Sequence, residues 1–214
     1  MGDFLYSKAY QLMAADGSIE IIRLISTTSN VMSEGEVFQL IKCGEVNLTE
    51  EDYRNIIEKK TSVLISASCA MGGYLGGAKA DQIEALKQFG LRLGSAFQIT
   101  DDTLDYVAQE EDFGKVIGKD LGEGKMTLPL IYTLKRCTPG ERNFIEKSLA
   151  ERKTQEMPVQ EILTLINRYD GIAYALGQAE TLIEEGRAFL AEMPEVPAKE
   201  ALLAISDYVL KRNL

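Results

Sequence analysis

The sequence contains no histidine. That absence excludes Ser-His-Asp and Cys-His nucleophilic machinery, histidine-bearing zinc sites and an imidazole base. Cysteine is scarce. Cys43, Cys69 and Cys137 are far apart, odd in number and form no C-x-x-C, so a disulfide framework is not expected and a reducing, cytoplasmic setting fits best. Basic residues are outnumbered, 23 Lys and Arg against 33 Asp and Glu, for a formal net charge of -10. Such a chain has no general positive field for nucleic acid or an anionic membrane surface. An anionic ligand would need local lysines, helix N-termini or a bridging cation. No apolar run reaches the length of a transmembrane segment. The start, MGDFLYSKAYQLM, lacks the basic and then apolar regions of a signal peptide.

Proline is also scarce. There are five, and the first is Pro129. So long a proline-free stretch permits long helices. The apolar spacing is helical, as in Phe4, Leu5, Ala9, Leu12 and Met13, or in Leu86, Phe89, Leu93, Phe97 and Leu104. No alternating strand pattern or hairpin signal stands out. Breakers and caps predict helices over about 3–15, 18–43, 50–72, 79–108, 127–136, 138–152, 158–169, 171–192 and 197–212. Thr49 with Asp52 forms a capping-box pattern at the third. A polar, glycine-bearing loop is expected over 109–125. Residues 1–214 read as one all-α domain.

Two stretches carry chemistry. In 97-FQITDDTLDY-106, three aspartates lie in an otherwise apolar helix. Asp101 and Asp105, at i and i+4, stack on one face with Gln98. Asp102 is turned about 100° from Asp101 and flanks that face. Like charges at this spacing repel, and the helix C-terminus disfavours anions by roughly 0.3–1 kcal/mol each. A sequence that accepts both penalties points to a cation. Carboxylate oxygens without Cys or His suit a hard ion such as Mg²⁺, which shares its shell with water and phosphate. A solvated acidic patch at a helix end is the competing reading of D-D-x-x-D taken alone.

The second stretch is 114-GKVIGKDLGEGKMTLPL-130. Lys115, Lys119 and Lys125 alternate with glycines that let backbone amides approach an anion. Lysine is a compact charge suited to phosphate. Beside a carboxylate face, this loop resembles one wall of a diphosphate site; a flexible, solubilising loop is the competing reading. Lys60, in a predicted helix among Ile57, Val63 and Leu64, either snorkels or points into a cleft.

Together these residues resemble the trans-type (E-type) polyprenyl diphosphate synthases. The stretch 97–106 is similar to that family's second aspartate-rich motif. The stretch 114–132 resembles the Gly-Lys…Asp-Leu…Glu-Gly-Lys-x-Thr-Leu-Pro segment that follows it. The stretches 2-GDFLYSKAYQLM-13, 34-EGEVFQL-40 and 60-KT-61 match in order, most like the octaprenyl-type, long-chain branch. The resemblance implies an all-α, isoprenoid-synthase-type helical bundle around a deep cavity, usually as a homodimer. It implies Mg²⁺-assisted ionisation of an allylic prenyl diphosphate and attack by isopentenyl diphosphate. On that resemblance Asp101, Asp102 and Asp105 hold Mg²⁺, and Lys60, Lys115 and Lys125 hold the allylic diphosphate. Thr61 and Gln98 line the same mouth. Lys60, Asp101, Asp102 and Lys115 are the expected catalytic groups.

One departure is large. The family carries two aspartate-rich motifs on facing helices, and this sequence has one D-D-x-x-D. The chain is therefore expected to correspond to the C-terminal two-thirds of a synthase, N-terminally truncated, with little activity alone. A non-catalytic truncated subunit that modulates a full-length synthase is the alternative. Helices 3–15 and 18–43 are expected to expose apolar faces and to drive association.

Overall fold

A computed structural model of the chain describes residues 1–107, 118–152, 154–155 and 157–211. Among these residues every regular element is helical. The elements are α1 (Gly2–Asp16), α2 (Ile19–Lys42), α3 (Glu50–Ile57), α4 (Val63–Leu75), α5 (Ala80–Val107), α6 (Lys119–Glu123), α7 (Leu128–Leu134), α8 (Pro139–Glu151), α9 (Val159–Arg168), α10 (Gly171–Leu190) and α11 (Pro197–Lys211). The ends follow from local chemistry. Gly17 takes a left-handed turn, φ 79°, and returns its N–H to Met13 O, which stops α1. Thr49 and Asp52 complete a reciprocal capping box at α3, and Thr138 and Glu141 complete another at α8.

Helix α5 is the spine. It packs on α4 along one side and on α10 along the other, and α11 closes over both α5 and α10. Its buried stripe runs Ile83, Leu86, Phe89, Leu93, Ala96, Ile99, Asp102, Tyr106. The α4 side is a seam of small residues. A side chain at Gly90 would meet Ser66 Cα at 2.7 Å, and one at Gly94 would meet Ser62 Cα at 2.6 Å. The two backbones therefore nearly touch, and the Ser62 and Ser95 hydroxyls hydrogen-bond across the seam at 2.9 Å.

Two features depart from the expectation. The helix expected over 50–72 is broken by one wide, π-helical turn, Glu58–Ser62. Its extra residue rotates Lys60 and Thr61 relative to the flanking turns. Such turns recur at functional sites. The region expected as loop to residue 125 contains a short helix, α6, with left-handed glycines at both ends, Gly118 at φ 73° and Gly124 at φ 80°.

The apolar face of the first two helices is open. Of α1 only Met13 is buried, while Phe4, Leu5, Tyr6 and Leu12 of α1 and Val37, Leu40 and Ile41 of α2 are exposed. No helix among the described residues is long and apolar enough to cross a membrane.

Candidate diphosphate site

A cavity of about 500 Å³ opens where α2, α3, the π turn, α5 and α6 converge. That is within the size range of pockets for small ligands. Lys60, Thr61, Gln98, Asp101, Asp102 and Lys125 all line it. Asp105 stands behind this wall. Lys115 lies outside the described residues.

The lining is charged in a particular way. Glu36, Asp101, Asp102, Asp120 and Glu123 supply five carboxyl groups, and Lys42, Lys60 and Lys125 supply three ammonium groups. The lysines are pre-paired. Lys60 Nζ reaches Glu36 at 2.9 Å and donates to Gln39 Oε1 at 2.6 Å. Lys125 Nζ contacts Asp120 at 2.7 Å and Glu123 at 2.8 Å. Partial burial works against the charge on Lys125, but the two carboxylates outweigh it and raise its pKa.

The aspartates divide. Asp101 is exposed at the mouth. Asp102 belongs to the core stripe and is 7% exposed. Its carboxyl accepts from the Tyr53 hydroxyl and from Gln98 Nε2, both at 2.7 Å. Burial pushes its pKa up to about 7, although both hydrogen bonds act in the opposite direction. Gln98 thus pairs with Asp102, one turn on, and its Oε1 accepts from Thr61 at 2.8 Å. Asp105 is half-buried. Its Oδ2 accepts the Asp120 N–H at 2.9 Å, and its backbone carbonyl accepts the Gly118 N–H at 2.9 Å, so it holds the start of α6 against α5. Burial raises the Asp105 pKa.

Several lining residues escaped the sequence reading of the site. Glu36 and Gln39 sit in the quoted stretch 34–40, and Asp120 sits in the Asp-Leu of 114–130. Tyr53 carried no signal beyond its place on an apolar helix face.

Oxygen donors alone make up the acidic side, which suits a hard divalent cation. Among the described residues no group of three acidic, cysteine or histidine side chains is gathered tightly enough to hold a metal by itself. The donor set fits an ion that completes its shell with water and ligand oxygens.

Comparisons with known proteins agree with this architecture. The family model described as Polyprenyl synthetase matches residues 1–166. The octaprenyl diphosphate synthase of Escherichia coli is 33% identical over 213 residues; the match covers 100% of this chain and 66% of that relative. The chain therefore spans somewhat less than two thirds of that relative's length. A polyprenyl synthase from Caulobacter crescentus, solved in complex with calcium and isoprenyl diphosphate, superposes with a TM-score of 0.93 at 35% identity, over 100% of this chain and 65% of that one. A decaprenyl diphosphate synthase from Rhodobacter capsulatus superposes at 0.91 with 33% identity, over 100% and 66% of the two chains. Fold, motif order and family match coincide, and the chain belongs to the polyprenyl synthetase family.

Proposed function

We propose that this chain forms the allylic-diphosphate side of a Mg²⁺-dependent trans-polyprenyl diphosphate synthase. The reaction joins isopentenyl diphosphate to an allylic prenyl diphosphate and builds a long, octaprenyl-like chain. The observation that carries the reading is the cavity lining: lysines aimed inward among an excess of carboxylates. A diphosphate alone would be repelled by that excess, but a diphosphate with its cation would not. In this reading Asp101 holds Mg²⁺, with Asp102 and Asp105 behind it. Bound there, the ion would draw negative charge off the departing diphosphate. Lys60 and Lys125 leave Glu36 and Glu123 to bind phosphate oxygens, as Lys115 is proposed to do, and they neutralise the charge that develops as the allylic C–O bond opens. Thr61 and Gln98 shape the mouth. No imidazole is required, since the released diphosphate can accept the proton.

The polypeptide of 214 residues holds one aspartate-rich wall. Alone it is expected to give no product from labelled isopentenyl diphosphate and an allylic primer. Joined to an N-terminal segment of a related synthase that bears the facing motif, it is expected to give acid-labile prenyl product only with Mg²⁺. A folded fusion without activity overturns the enzyme reading. Product from the 214 residues alone overturns the division of the site.

The open apolar faces of α1 and α2 support self-association, and we propose a homodimer through them. Sedimentation is expected to give a dimer or larger; a clean monomer contradicts this.

A further inference from the structure

Asp102 occupies a core position, between Ile99 and Tyr106 on the buried stripe of α5. A carboxyl group there is costly, because burial disfavours its charged form and a leucine would pack with no such penalty. What it gains is a pair of donors from two different elements. The Tyr53 hydroxyl arrives from α3 and is itself 3% exposed. The Gln98 amide arrives from the preceding turn of α5. Gln98 in turn accepts from Thr61 in the π turn. The chain is directional. With Asp102 ionised, tyrosine can only donate to it, the carboxylate fixes which end of the Gln98 amide faces it, and the remaining amide oxygen fixes where the Thr61 proton points. Three distances of 2.7, 2.7 and 2.8 Å link α3, α5 and the π turn across the cavity wall.

We propose that Tyr53 is a positioning residue: through Asp102 it sets the orientation of Gln98 and Thr61, and hence the polar wall that meets the diphosphate. The inference rests on the diphosphate-site reading above, and it gives a role to a phenol that is 3% exposed in the cavity wall. In Tyr53→Phe the ring still fills its place and only the donor is lost, so Asp102 keeps one partner and the Gln98 amide is free to turn.

Two measurements on the 214-residue chain decide it. The first is NMR of the Gln98 side-chain amide. Tyr53→Phe is expected to shift that resonance pair and to speed its exchange with solvent. The second is calorimetric titration with inorganic pyrophosphate and Mg²⁺, where Tyr53→Phe is expected to bind about tenfold more weakly. In an Asp102→Asn background Tyr53→Phe is expected to move the Gln98 pair no further, because the link is already cut. Unmoved Gln98 resonances, an affinity equal to the unsubstituted chain, or additive shifts of the Gln98 pair each overturn the proposal, and additive shifts mark a merely structural tyrosine. If the unsubstituted chain binds no Mg²⁺-pyrophosphate, the diphosphate reading itself fails, while the NMR arm still decides the orienting role. If Tyr53→Phe does not fold, Asp102→Asn reads the same link. It replaces one acceptor by a donor and must again shift the Gln98 pair.

Discussion

Lys125→Ala is expected to weaken Mg²⁺-pyrophosphate binding by about a hundredfold. Lys125 stands between Asp120 at 2.7 Å and Glu123 at 2.8 Å and faces the cavity. Its removal has two consequences that add. A charge-assisted bond to phosphate is lost, worth roughly 1.5–3 kcal/mol. Asp120 and Glu123 also lose the Lys125 charge in a cavity that already has an acidic excess, and both repel the incoming anion. Roughly 3 kcal/mol corresponds to a little over a hundredfold in affinity. Lys119→Ala is the control. It opens α6, the short helix that ends just before Lys125, but its side chain is 72% exposed, is 3.9 Å from Glu123 and does not line the cavity. Exposed pairs of this kind contribute little, so its effect is expected to stay within about twofold. Calorimetry on both variants separates the accounts: equal losses would mean that net charge alone, not the placed lysine, attracts the ligand.

The largest effect on stability is expected from Gly94→Val. A Cβ at position 94 would lie 2.6 Å from Ser62 Cα and 3.1 Å from Ser62 Cβ. The obstacle is backbone, so no flexible side chain can swing aside, and α5 must move away from the π turn. Overpacking of this kind costs roughly 1–3 kcal/mol, and more where backbone resists. The displacement would also part Gln98 from Thr61, now 2.8 Å apart, so binding is expected to fall with stability. Gly177→Ala makes the opposite prediction. Gly177 lies inside α10 with nothing within 4 Å of an added Cβ. There alanine is expected to stabilise by roughly 0.5–1 kcal/mol through its better helix propensity. Urea unfolding of both variants checks the pair. A tolerated Gly94→Val would mean that α5 packs less tightly on the π turn than described.

These predictions depend on features of unequal legibility. The all-helical class was readable because apolar residues recur at helical spacing and no proline precedes Pro129. The starts at Thr49 and Thr138 and the stop at Gly17 were readable because capping chemistry is local. The π turn was not. Glu58-Lys-Lys-Thr-Ser contains neither glycine nor proline, and the widened turn packs closely against α2 and α5. Gly35 of α2, for example, leaves only 2.7 Å between an added Cβ and Lys59 Cβ.

The candidate site was partly legible. Acidic and lysine-bearing stretches far apart in sequence pointed to one cavity, and Lys60, Thr61, Gln98, Asp101, Asp102 and Lys125 do line one. The division of labour among the aspartates was harder to see. Helical geometry grouped Asp101 with Asp105 and left Asp102 at the flank. The stripe Ile99, Asp102, Tyr106 was nevertheless visible in the spacing, and it places Asp102 in the core. Tyr53 could not be found from sequence, because a tyrosine on an apolar face is ordinary and its partner lies 49 residues away.

The most direct test of the central claim is calorimetric titration of inorganic pyrophosphate into the unsubstituted 214-residue chain, with and without Mg²⁺. Saturable binding at one site per chain that requires Mg²⁺ is the predicted result. No binding with Mg²⁺ present, or equal affinity in its absence, would contradict the account.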